Sequence, residues 1–413
     1  MLFCQVCGQT GKRLRRISNS KNTEESINLK VLSVTWLVYD EKLEQFSKNY
    51  TGGGVVIKNI CEYIGRKCES YLLIGKFRLP EMDLGHIHLV GTDKEENIQD
   101  DHSSEIHLRT MTNAFVRALK EIEPDIVNIH GLGIFSERCI RECISQNIPY
   151  VYTEHLYIGL EQKIAGYERH QEWEKSLYSI SKDIRIIVVS SGMKEKILSD
   201  FPQICSENIT VIRNGTDFRA VKVENNLRQK YGLEKKKIVL CVGTILERKN
   251  QCQIVRAFQL LPNDMKEQLA VLFCGLDRME GMLQREIEEA GIQEKLIYVG
   301  AVENEEMKEY YSIADGLIMP SRAEGLSIAA LETIAYGLPV IMFSDSECAM
   351  DLNDEEVVCL AKERSDQELA NAMIRWYQKD WDKNYITEYS KFYSMERMAE
   401  DYLKYYRERI KEK

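Results

Sequence analysis

The sequence lacks several features that would place it in other protein classes. It contains no run of about 18 apolar residues, the length that a membrane-spanning helix requires. A formal net charge of −10 argues against a general polyanion or nucleic-acid binder, although a local basic groove for a phosphate-bearing ligand remains compatible with it. No G-x-G-x-x-G follows an early strand pattern, so a dinucleotide-dependent dehydrogenase is poorly supported.

The 12 cysteines also lack the spacing of a metal site. Cys4 and Cys7 form a CxxC, but no second CxxC or Cys/His pair follows at zinc-finger spacing. Other cysteines stand in apolar runs such as "VLCVG" and "VLFCG", which is typical of buried, reduced thiols. We therefore expect a cytoplasmic protein without a metal site.

The first 28 residues are polar and basic, and they lack the long apolar stretch of a signal peptide. Their composition, with "SNSKNTEES", predicts a disordered tail over residues 1–28. Weak contact of this basic segment with an anionic membrane is compatible with the composition, so peripheral attachment at the inner face of the membrane is one expectation.

What is present is an α/β pattern. A chain of 413 residues exceeds the usual size of one hydrophobic core, which predicts two domains. From Leu29 onward, short Val/Ile/Leu-rich runs alternate with amphipathic helical stretches, as in parallel sheets covered on both faces. The polar segment 213–237 separates two such series. We predict two doubly wound, Rossmann-like domains facing a cleft, with domain ranges 29–218 and 219–390.

The segment "SRAEGLSIAALETIAYGLPV" (321–340) carries the strongest chemical signal. Glu324 lies in a loop at the carboxyl end of a predicted strand, and Glu332 lies within an apolar helix. The helix N-terminus can bind a phosphate, and the small residues Gly325 and Ser327 allow its backbone to approach closely. Carboxylates accept hydrogen bonds from sugar and ribose hydroxyls, so the segment suits a sugar nucleotide. A solvated Glu324 and an ion-paired, structural Glu332 explain this segment alone equally well.

The same segment resembles the signature of retaining glycosyltransferases of family 4, whose form is roughly "PS..EGFG...LEA.A.G.PV". Here it reads "PSRAEGLSIAALETIAYGLPV", with Leu326 and Ser327 in place of Phe-Gly. The resemblance implies a GT-B architecture. It also implies that Glu324 holds hydroxyls of the donor sugar, that Glu332 holds the nucleotide ribose, and that the backbone at Gly325, Leu326 and Ser327 lies at the donor phosphates.

Further motifs extend the resemblance over roughly residues 29–410. "VGTILERKN" (242–250) is similar to the turn whose arginine and lysine clamp the donor diphosphate. Lys249 matches the lysine, whereas Thr244 stands in the place of the arginine, and the adjacent Arg248 is its candidate substitute. Two cations after a strand are suited to a diphosphate leaving group. The strand ends in "FCGLD" and "YVGAV" match those that flank the nucleotide, and their candidate residues are Gly275, Val299 and Gly300.

Three motifs in the first half complete the expected site. The glycines of "NYTGGGVVIKNI" match the family's glycine-rich loop, in which backbone amides approach the donor; they are Gly52, Gly53 and Gly54. "YVYTEHLYIG" resembles the T-x-H element, which places His155 near the donor sugar and the reaction centre. His130, in "DIVNIHG", is a candidate for the cleft wall rather than a catalyst.

At the domain junction, "IRNGTDF" matches a family segment. Asn214 and Gly215 would form a hinge turn, and Asp217 would cap the turn or contact across the cleft. The closing residues, 391–413, resemble the family's terminal helix, which packs back on the first domain.

These observations predict a retaining glycosyltransferase that moves a hexosyl or N-acetylhexosaminyl group. Its donor would be a nucleotide-diphosphate sugar, and its acceptor a hydroxyl of a glycan, a lipid-linked glycan or a small molecule, with polysaccharide synthesis at the cell surface as the expected setting. No DxD-type metal motif stands at a matching position, so neither a metal nor another cofactor is expected. A sugar-nucleotide epimerase and a non-catalytic sugar-nucleotide-binding protein remain the alternatives, the second because of Thr244.

Overall fold

The computed structural model describes residues 29–36, 38, 42, 52–76, 78–92, 105–221 and 223–412. The tail predicted over residues 1–28, with Cys4 and Cys7, lies outside the described residues. The described chain forms two α/β domains, each built on one largely or wholly parallel sheet.

The first domain is built on an eight-stranded sheet. Its strands are β1 (Lys30–Thr35), β2 (Glu69–Ile74), β3 (Met82–Leu84), β4 (Ile87–Leu89), β5 (Ile126–His130), β6 (Tyr150–Glu154), β7 (Ile186–Val188) and β8 (Ile209–Val211). Its helices are α1 (Gly52–Gly65), α2 (Glu105–Ile122), α3 (Ile134–Ser145), α4 (Glu168–Tyr178) and α5 (Ser191–Asp200). The strand order is β3-β4-β2-β1-β5-β6-β7-β8, and every pairing except β3 with β4 is parallel.

The second domain is built on a six-stranded, wholly parallel sheet. Its strands are β9 (Lys237–Val242), β10 (Leu269–Cys274), β11 (Leu296–Gly300), β12 (Gly316–Met319), β13 (Val340–Phe343) and β14 (Val358–Ala361). Its helices are α6 (Leu227–Lys230), α7 (Cys252–Gln259), α8 (Asn263–Gln268), α9 (Met282–Glu289), α10 (Met307–Ile313), α11 (Ile328–Ala335), α12 (Asp366–Gln378) and α13 (Lys383–Ser390).

The order of the second sheet, β11-β10-β9-β12-β13-β14, determines where a ligand can bind. The chain runs outward from β9 to β11 and then returns to place β12 on the other side of β9. The carboxyl ends of β9 and β12 therefore meet at the point where the strand order reverses, which is the usual ligand position in such sheets. The segments 243–250 and 320–327, which carry the sequence motifs, begin at these two ends.

The central strands are buried on both faces, as the continuous apolar runs predicted. All six residues of β10, "LAVLFC", are buried, and so are five of the six residues of β1. Helices must cover both faces of such a sheet, and the predicted fold of two doubly wound α/β domains is confirmed.

The last helix, α14 (Met395–Lys411), returns to the first domain and packs on α1. Its buried face, including Tyr402 and Tyr406, joins Val31 and Ile60 in one apolar cluster. Within that cluster the Nδ2 of Asn128, on β5, donates to the Tyr406 hydroxyl at 2.6 Å. The chain thus crosses between the domains twice, once before the second sheet and once after it.

Two local features differ from the sequence prediction. Strands β3 and β4 form a short antiparallel pair that the pattern did not indicate, because three residues are too few to show a period. Gly52 to Gly54 form the first turn of α1, whereas the sequence placed them before the helix. The poor helix propensity of glycine is offset by burial of the apolar side chains that follow in α1.

Candidate active site

Glu324 and two cations form the centre of the candidate site. Glu324 lies in the loop after β12, while Arg248 and Lys249 end a 3₁₀ turn, Glu247–Lys249, in the segment after β9. The Lys249 Nζ lies 2.5 Å from the Glu324 Oε2, and the Arg248 Nη1 lies 3.3 Å from the same oxygen. Because the strand order reverses between these segments, three residues far apart in sequence meet within one ion cluster.

The charge of this cluster suits an anionic ligand. Burial alone would raise the pKa of Glu324, but the attraction of Lys249 and then of Arg248 outweighs it and holds the pKa at about 2. Glu324 is therefore ionised, and one carboxylate facing two cations leaves a net charge of +1. The side chains of all three residues are largely buried, so this charge acts in a medium of low dielectric.

Arg248 also ties the cluster to the first domain. Its Nη1 donates to the Ala323 carbonyl at 2.6 Å, and its Nε donates to the Tyr167 hydroxyl at 3.2 Å. Tyr167 immediately precedes α4, so a side chain of the first domain contacts the guanidinium. Thr244, by contrast, lies in the same strand-end segment with its carbonyl accepting from the Gln251 Nε2 at 3.0 Å.

A further acid, Glu347, supports the Glu324 loop and was missed by the sequence analysis. Its Oε2 accepts a hydrogen bond from the backbone N–H of Glu324 at 2.9 Å, and its Oε1 lies 2.7 Å from the Nζ of Lys196 on α5. Glu347 therefore links α5 of the first domain to the loop that carries the predicted donor-binding acid. Its position shortly after the buried strand β13 was the available signal, because strand ends line the cleft.

Gly325 brings the two domains into direct contact. A Cβ at this position would lie 2.3 Å from the His155 carbonyl oxygen and 2.9 Å from the Val189 Cγ2. Any side chain would force the loop away from β6 and β7, so the small size of Gly325 allows His155 and Glu324 to approach each other. The structure thus brings together these two predicted residues, one from each domain.

The N-terminus of α11 follows directly. Ser327 is its N-cap, with the Oγ accepting from the Ala330 N–H at 3.4 Å. The Leu326 carbonyl accepts from the Nδ2 of Asn214 at 2.9 Å, so a predicted hinge residue holds the start of the helix.

Glu332 lies inside α11, and its buried Oε2 accepts from the Tyr311 hydroxyl at 2.7 Å. Burial raises its pKa to about 7; the Tyr311 hydrogen bond opposes this, and the charge of Asp217 adds to it. Within the described part of the chain, Glu332 forms no ion pair. The alternative of an ion-paired structural acid is therefore not favoured, and one carboxylate edge can accept further hydrogen bonds.

The remaining residues predicted in the second domain lie at adjacent strand ends. Gly275 follows β10, and a Cβ there would lie 2.0 Å from the Gly243 carbonyl oxygen, so the two loops touch through their backbones. Its N–H donates to the carbonyl of Gly300 at 2.7 Å, and Val299 precedes that glycine at the end of β11.

The other predicted residues of the first domain lie at a helix N-terminus and at the hinge. Gly52 to Gly54 form the N-terminal turn of α1, the helix that follows β1. Gly215 contacts the start of α14, because a Cβ there would lie 2.6 Å from the Ser394 carbonyl oxygen. Asp217 accepts from the Tyr63 hydroxyl at 3.4 Å.

His155 follows β6 and pairs with His130, which ends the neighbouring strand β5. The His130 Nδ1 and the His155 Nε2 are 3.0 Å apart. Burial lowers the pKa of His155 to about 4, and burial together with His155 lowers that of His130 well below its ordinary value. Both imidazoles are therefore neutral near pH 7, the form in which a histidine donates one hydrogen bond through its N–H and accepts another at its second ring nitrogen.

Across the described ranges, no group of three or more His, Cys, Asp or Glu side chains is placed to hold a metal ion. The metal-free site expected from the sequence stays a prediction. Of the helices the structure describes, none has both the length and the apolar character needed to cross a bilayer.

The sequence of this chain matches the models of known protein families. Residues 50–219 match the model for Glycosyltransferase Family 4, and residues 223–392 match that for Glycosyl transferases group 1. The GDP-mannose-dependent alpha-(1-6)-phosphatidylinositol monomannoside mannosyltransferase of Mycolicibacterium smegmatis is 30% identical over 28% of this chain and 32% of its own length. O-antigen chain mannosyltransferase B of Escherichia coli is 26% identical over 46% of this chain and 54% of its own length. These matches span about half of the curated relatives or less.

Solved structures show the same architecture. Sucrose-phosphate synthase from Thermosynechococcus elongatus superposes with a TM-score of 0.71 at 18% identity, covering 92% of this chain and 98% of that one. HepE from Anabaena, solved in complex with UDP, superposes with a TM-score of 0.65 at 16% identity, covering 91% and 99%. The fold is therefore the predicted GT-B architecture, and the chain belongs to glycosyltransferase family 4.

Proposed function

We propose that the protein is a retaining glycosyltransferase that transfers a hexosyl or N-acetylhexosaminyl group from a nucleotide-diphosphate sugar to an acceptor hydroxyl. The observation that carries the proposal is the buried cluster of Glu324, Lys249 and Arg248 at the reversal point of the second sheet. A net positive charge suits a diphosphate, and an ionised carboxylate beside it suits sugar hydroxyls.

Donor binding would rearrange this cluster. The diphosphate oxygens would take over Lys249 and Arg248, together with the N-terminal end of α11, and Glu324 would exchange its cations for hydroxyls of the sugar. Deeper in α11, Glu332 would accept from the ribose hydroxyls beside Tyr311. The strand-end segments at Thr244, Gly275, Val299 and Gly300 would enclose the nucleotide, and the α1 turn at Gly52 to Gly54 would close on the phosphates from the first domain.

The chemical step breaks the bond between the anomeric carbon and the diphosphate and forms a bond from the same face to the acceptor oxygen. The bonding pair leaves with the diphosphate, and the acceptor proton passes to the departing phosphate oxygen, so the products are the glycoside and a nucleoside diphosphate. Lys249 and Arg248 stabilise the charge that develops on the leaving group. Neutral His155 and Glu324 hold the sugar in position, which lowers the entropic cost of the step.

Closure of the domains would protect the donor from water. Gly325 packs against the His155 backbone, and Glu347 joins Lys196 to the Glu324 loop. These contacts form only when the two domains face each other closely, so the complete site requires the closed arrangement.

The relatives indicate the substrates to test first. The mycobacterial relative is named for GDP-mannose and a phosphatidylinositol mannoside, the Escherichia coli relative for O-antigen chains, and HepE was solved with UDP. We propose a glycan or lipid-linked acceptor met at the cytoplasmic face of a membrane, which the basic residues of the N-terminal tail would contact peripherally. Cell-surface polysaccharide synthesis is the proposed setting.

The test is a thermal-shift panel of UDP-, GDP- and ADP-sugars, followed by transfer assays with the stabilising donor. The expected result is stabilisation by one donor, release of its nucleoside diphosphate with lipid-linked or glycan acceptors, and a product whose anomeric configuration by NMR equals that of the donor. Turnover should persist in EDTA.

Two outcomes would replace this proposal. Conversion of the nucleotide sugar to an epimer without any acceptor would favour the epimerase. Donor binding without turnover across a broad acceptor panel would favour a non-catalytic binding protein. An inverted product would refute the retaining step while leaving the transferase intact.

A further inference from the structure

The pairing of His130 with His155 is not used by the proposed mechanism. Strands β5 and β6 run side by side in parallel, with His130 opposite Thr153 in register. This register sets the two rings edge to edge in nearly the same plane, with 5.3 Å between their centroids and 20° between their planes. The Nδ1 of His130 and the Nε2 of His155 are 3.0 Å apart, a normal hydrogen-bond distance.

The two rings share a single proton along this contact. A neutral imidazole carries one N–H and one lone pair, so if His130 donates from Nδ1, His155 accepts at Nε2 and carries its own proton on Nδ1. If His155 donates instead, the assignment reverses on both rings. In either case the tautomer of one ring fixes that of the other.

The outer nitrogens of the pair are the second observation. The His155 Nδ1 and the His130 Nε2 are both buried, and neither has a hydrogen-bond partner among the described residues. One of them must be an unpaired donor and the other an unpaired acceptor, because the inner contact uses only one proton. Burying a polar atom without a partner costs free energy, so each of these two nitrogens requires an explanation, and a ligand hydroxyl would supply the missing partner.

We propose that His130 is a positioning residue for the transfer reaction: it fixes the ring orientation and tautomer of His155, so that the His155 Nδ1 offers one defined hydrogen-bonding role to a hydroxyl of the donor sugar. The inference rests on the proposed function of His155. It replaces the role predicted for His130, a residue of the cleft wall, with that of a hydrogen-bond partner of His155. Packing constrains the arrangement further, because Gly325 lies directly against the His155 backbone.

Two substitutions separate this role from simple packing. His130→Asn retains a polar atom at the position of Nδ1 and can still pair with His155. His130→Gln moves its polar atoms toward the position of Nε2 and loses that contact. We expect His130→Gln to lower kcat about tenfold with the donor KM changed less than about twofold, and His130→Asn to restore most of the loss. Melting temperatures of both variants control for folding.

A spectroscopic measurement tests the pair without catalysis. Long-range ¹H–¹⁵N correlation spectra report which ring nitrogen carries the proton, and the His155 signals are assigned by comparison with His155→Asn. We expect one tautomer of His155 in the wild type and in His130→Asn, and a shifted or mixed tautomer in His130→Gln. An unchanged His155 tautomer in His130→Gln overturns the inference, as does wild-type kcat in that variant.

The two proposals can fail separately. A wild-type protein without transferase activity would remove the proposed function, while the tautomer spectra would still decide whether His130 controls His155. Activity in the wild type with equal kcat in His130→Asn and His130→Gln would remove the inference and leave the transferase.

Discussion

Gly325 lies so close to His155 that a Cβ would stand 2.3 Å from the histidine's carbonyl oxygen. These residues belong to different domains, so the contact makes the geometry of the Glu324 loop depend on domain closure. A backbone oxygen cannot move aside as a flexible side chain can, and any larger residue must separate the domains locally.

Gly325→Ala should therefore lower kcat/KM at least tenfold while each domain keeps its own fold. Gly192→Ala is a second probe of closure, because a Cβ there would lie 2.4 Å from the carbonyl oxygen of Glu347, the residue whose side chain holds the Glu324 loop. Steady-state kinetics measure the loss of kcat/KM, and small-angle scattering measures the separation of the domains. Loss of activity in both variants indicates that closure is needed, whereas full activity of Gly325→Ala would contradict the close approach.

Removal of the Lys249 charge tests the diphosphate clamp. Lys249→Ala should reduce kcat by about 10²–10³, the usual cost of losing a group that stabilises transition-state charge. The fold should persist, because Arg248 still pairs with the buried Glu324 carboxylate. Lys266→Ala, at a half-buried lysine on α8, is the control and should leave kcat unchanged. Wild-type turnover by Lys249→Ala would show that Lys249 does not stabilise the diphosphate leaving group.

Much of this site could be predicted because its residues come directly after strands. Glu324 and Lys249 stand in recognisable motifs, and the carboxyl ends of parallel strands share one edge of the sheet. Their mutual distance of 2.5 Å could not be predicted, since it depends on β12 lying beside β9.

Tyr311 and Glu347 were missed, and His130 was predicted for the cleft wall without its partner, because all three act through tertiary contacts rather than through a motif. Tyr311 reaches Glu332 from another helix, Glu347 reaches Lys196 from another domain, and His130 reaches His155 from a neighbouring strand. In each case the sequence separation is large and neither residue type is unusual in its own segment. Only the order and register of the strands bring these side chains together.

Substitution of Tyr406 tests how much its hydrogen bond stabilises the packing of the last helix, α14, on the first domain. Tyr406→Phe leaves the buried Asn128 Nδ2 without its 2.6 Å acceptor and should cost about 1–3 kcal/mol of unfolding free energy. Tyr385→Phe is the control, because its hydrogen bond to Asp354 is exposed and should contribute less than about 0.5 kcal/mol. Denaturant unfolding measures the loss of unfolding free energy in both variants. If Tyr406→Phe has the same midpoint as the wild-type protein, the buried hydrogen bond contributes nothing to stability.

The pKa of Glu332 predicts a pH dependence of donor binding. Ribose hydroxyls donate hydrogen bonds, so they favour the ionised carboxylate over the protonated one. Since burial raises the pKa of free Glu332 to about 7, the donor must displace a proton below that pH, and affinity rises as the pH increases through 7. Above about pH 8 the carboxylate is already ionised and the dependence ends. Between pH 6 and pH 8 the dissociation constant should fall about tenfold.

Calorimetry in buffers of different ionisation enthalpy measures the proton that is released, and we expect about half a proton per donor at pH 7. Glu332→Gln should bind the nucleotide with an affinity independent of pH over this range. Glu154→Gln is the matched control: burial, with the charge of Glu174, raises the pKa of Glu154 to about 7 as well, but its Oε2 accepts from the Tyr152 and Tyr178 hydroxyls within the first domain. Glu154→Gln should still release the proton on donor binding. If the proton release disappears in Glu154→Gln and persists in Glu332→Gln, the titrating group is not at the ribose position.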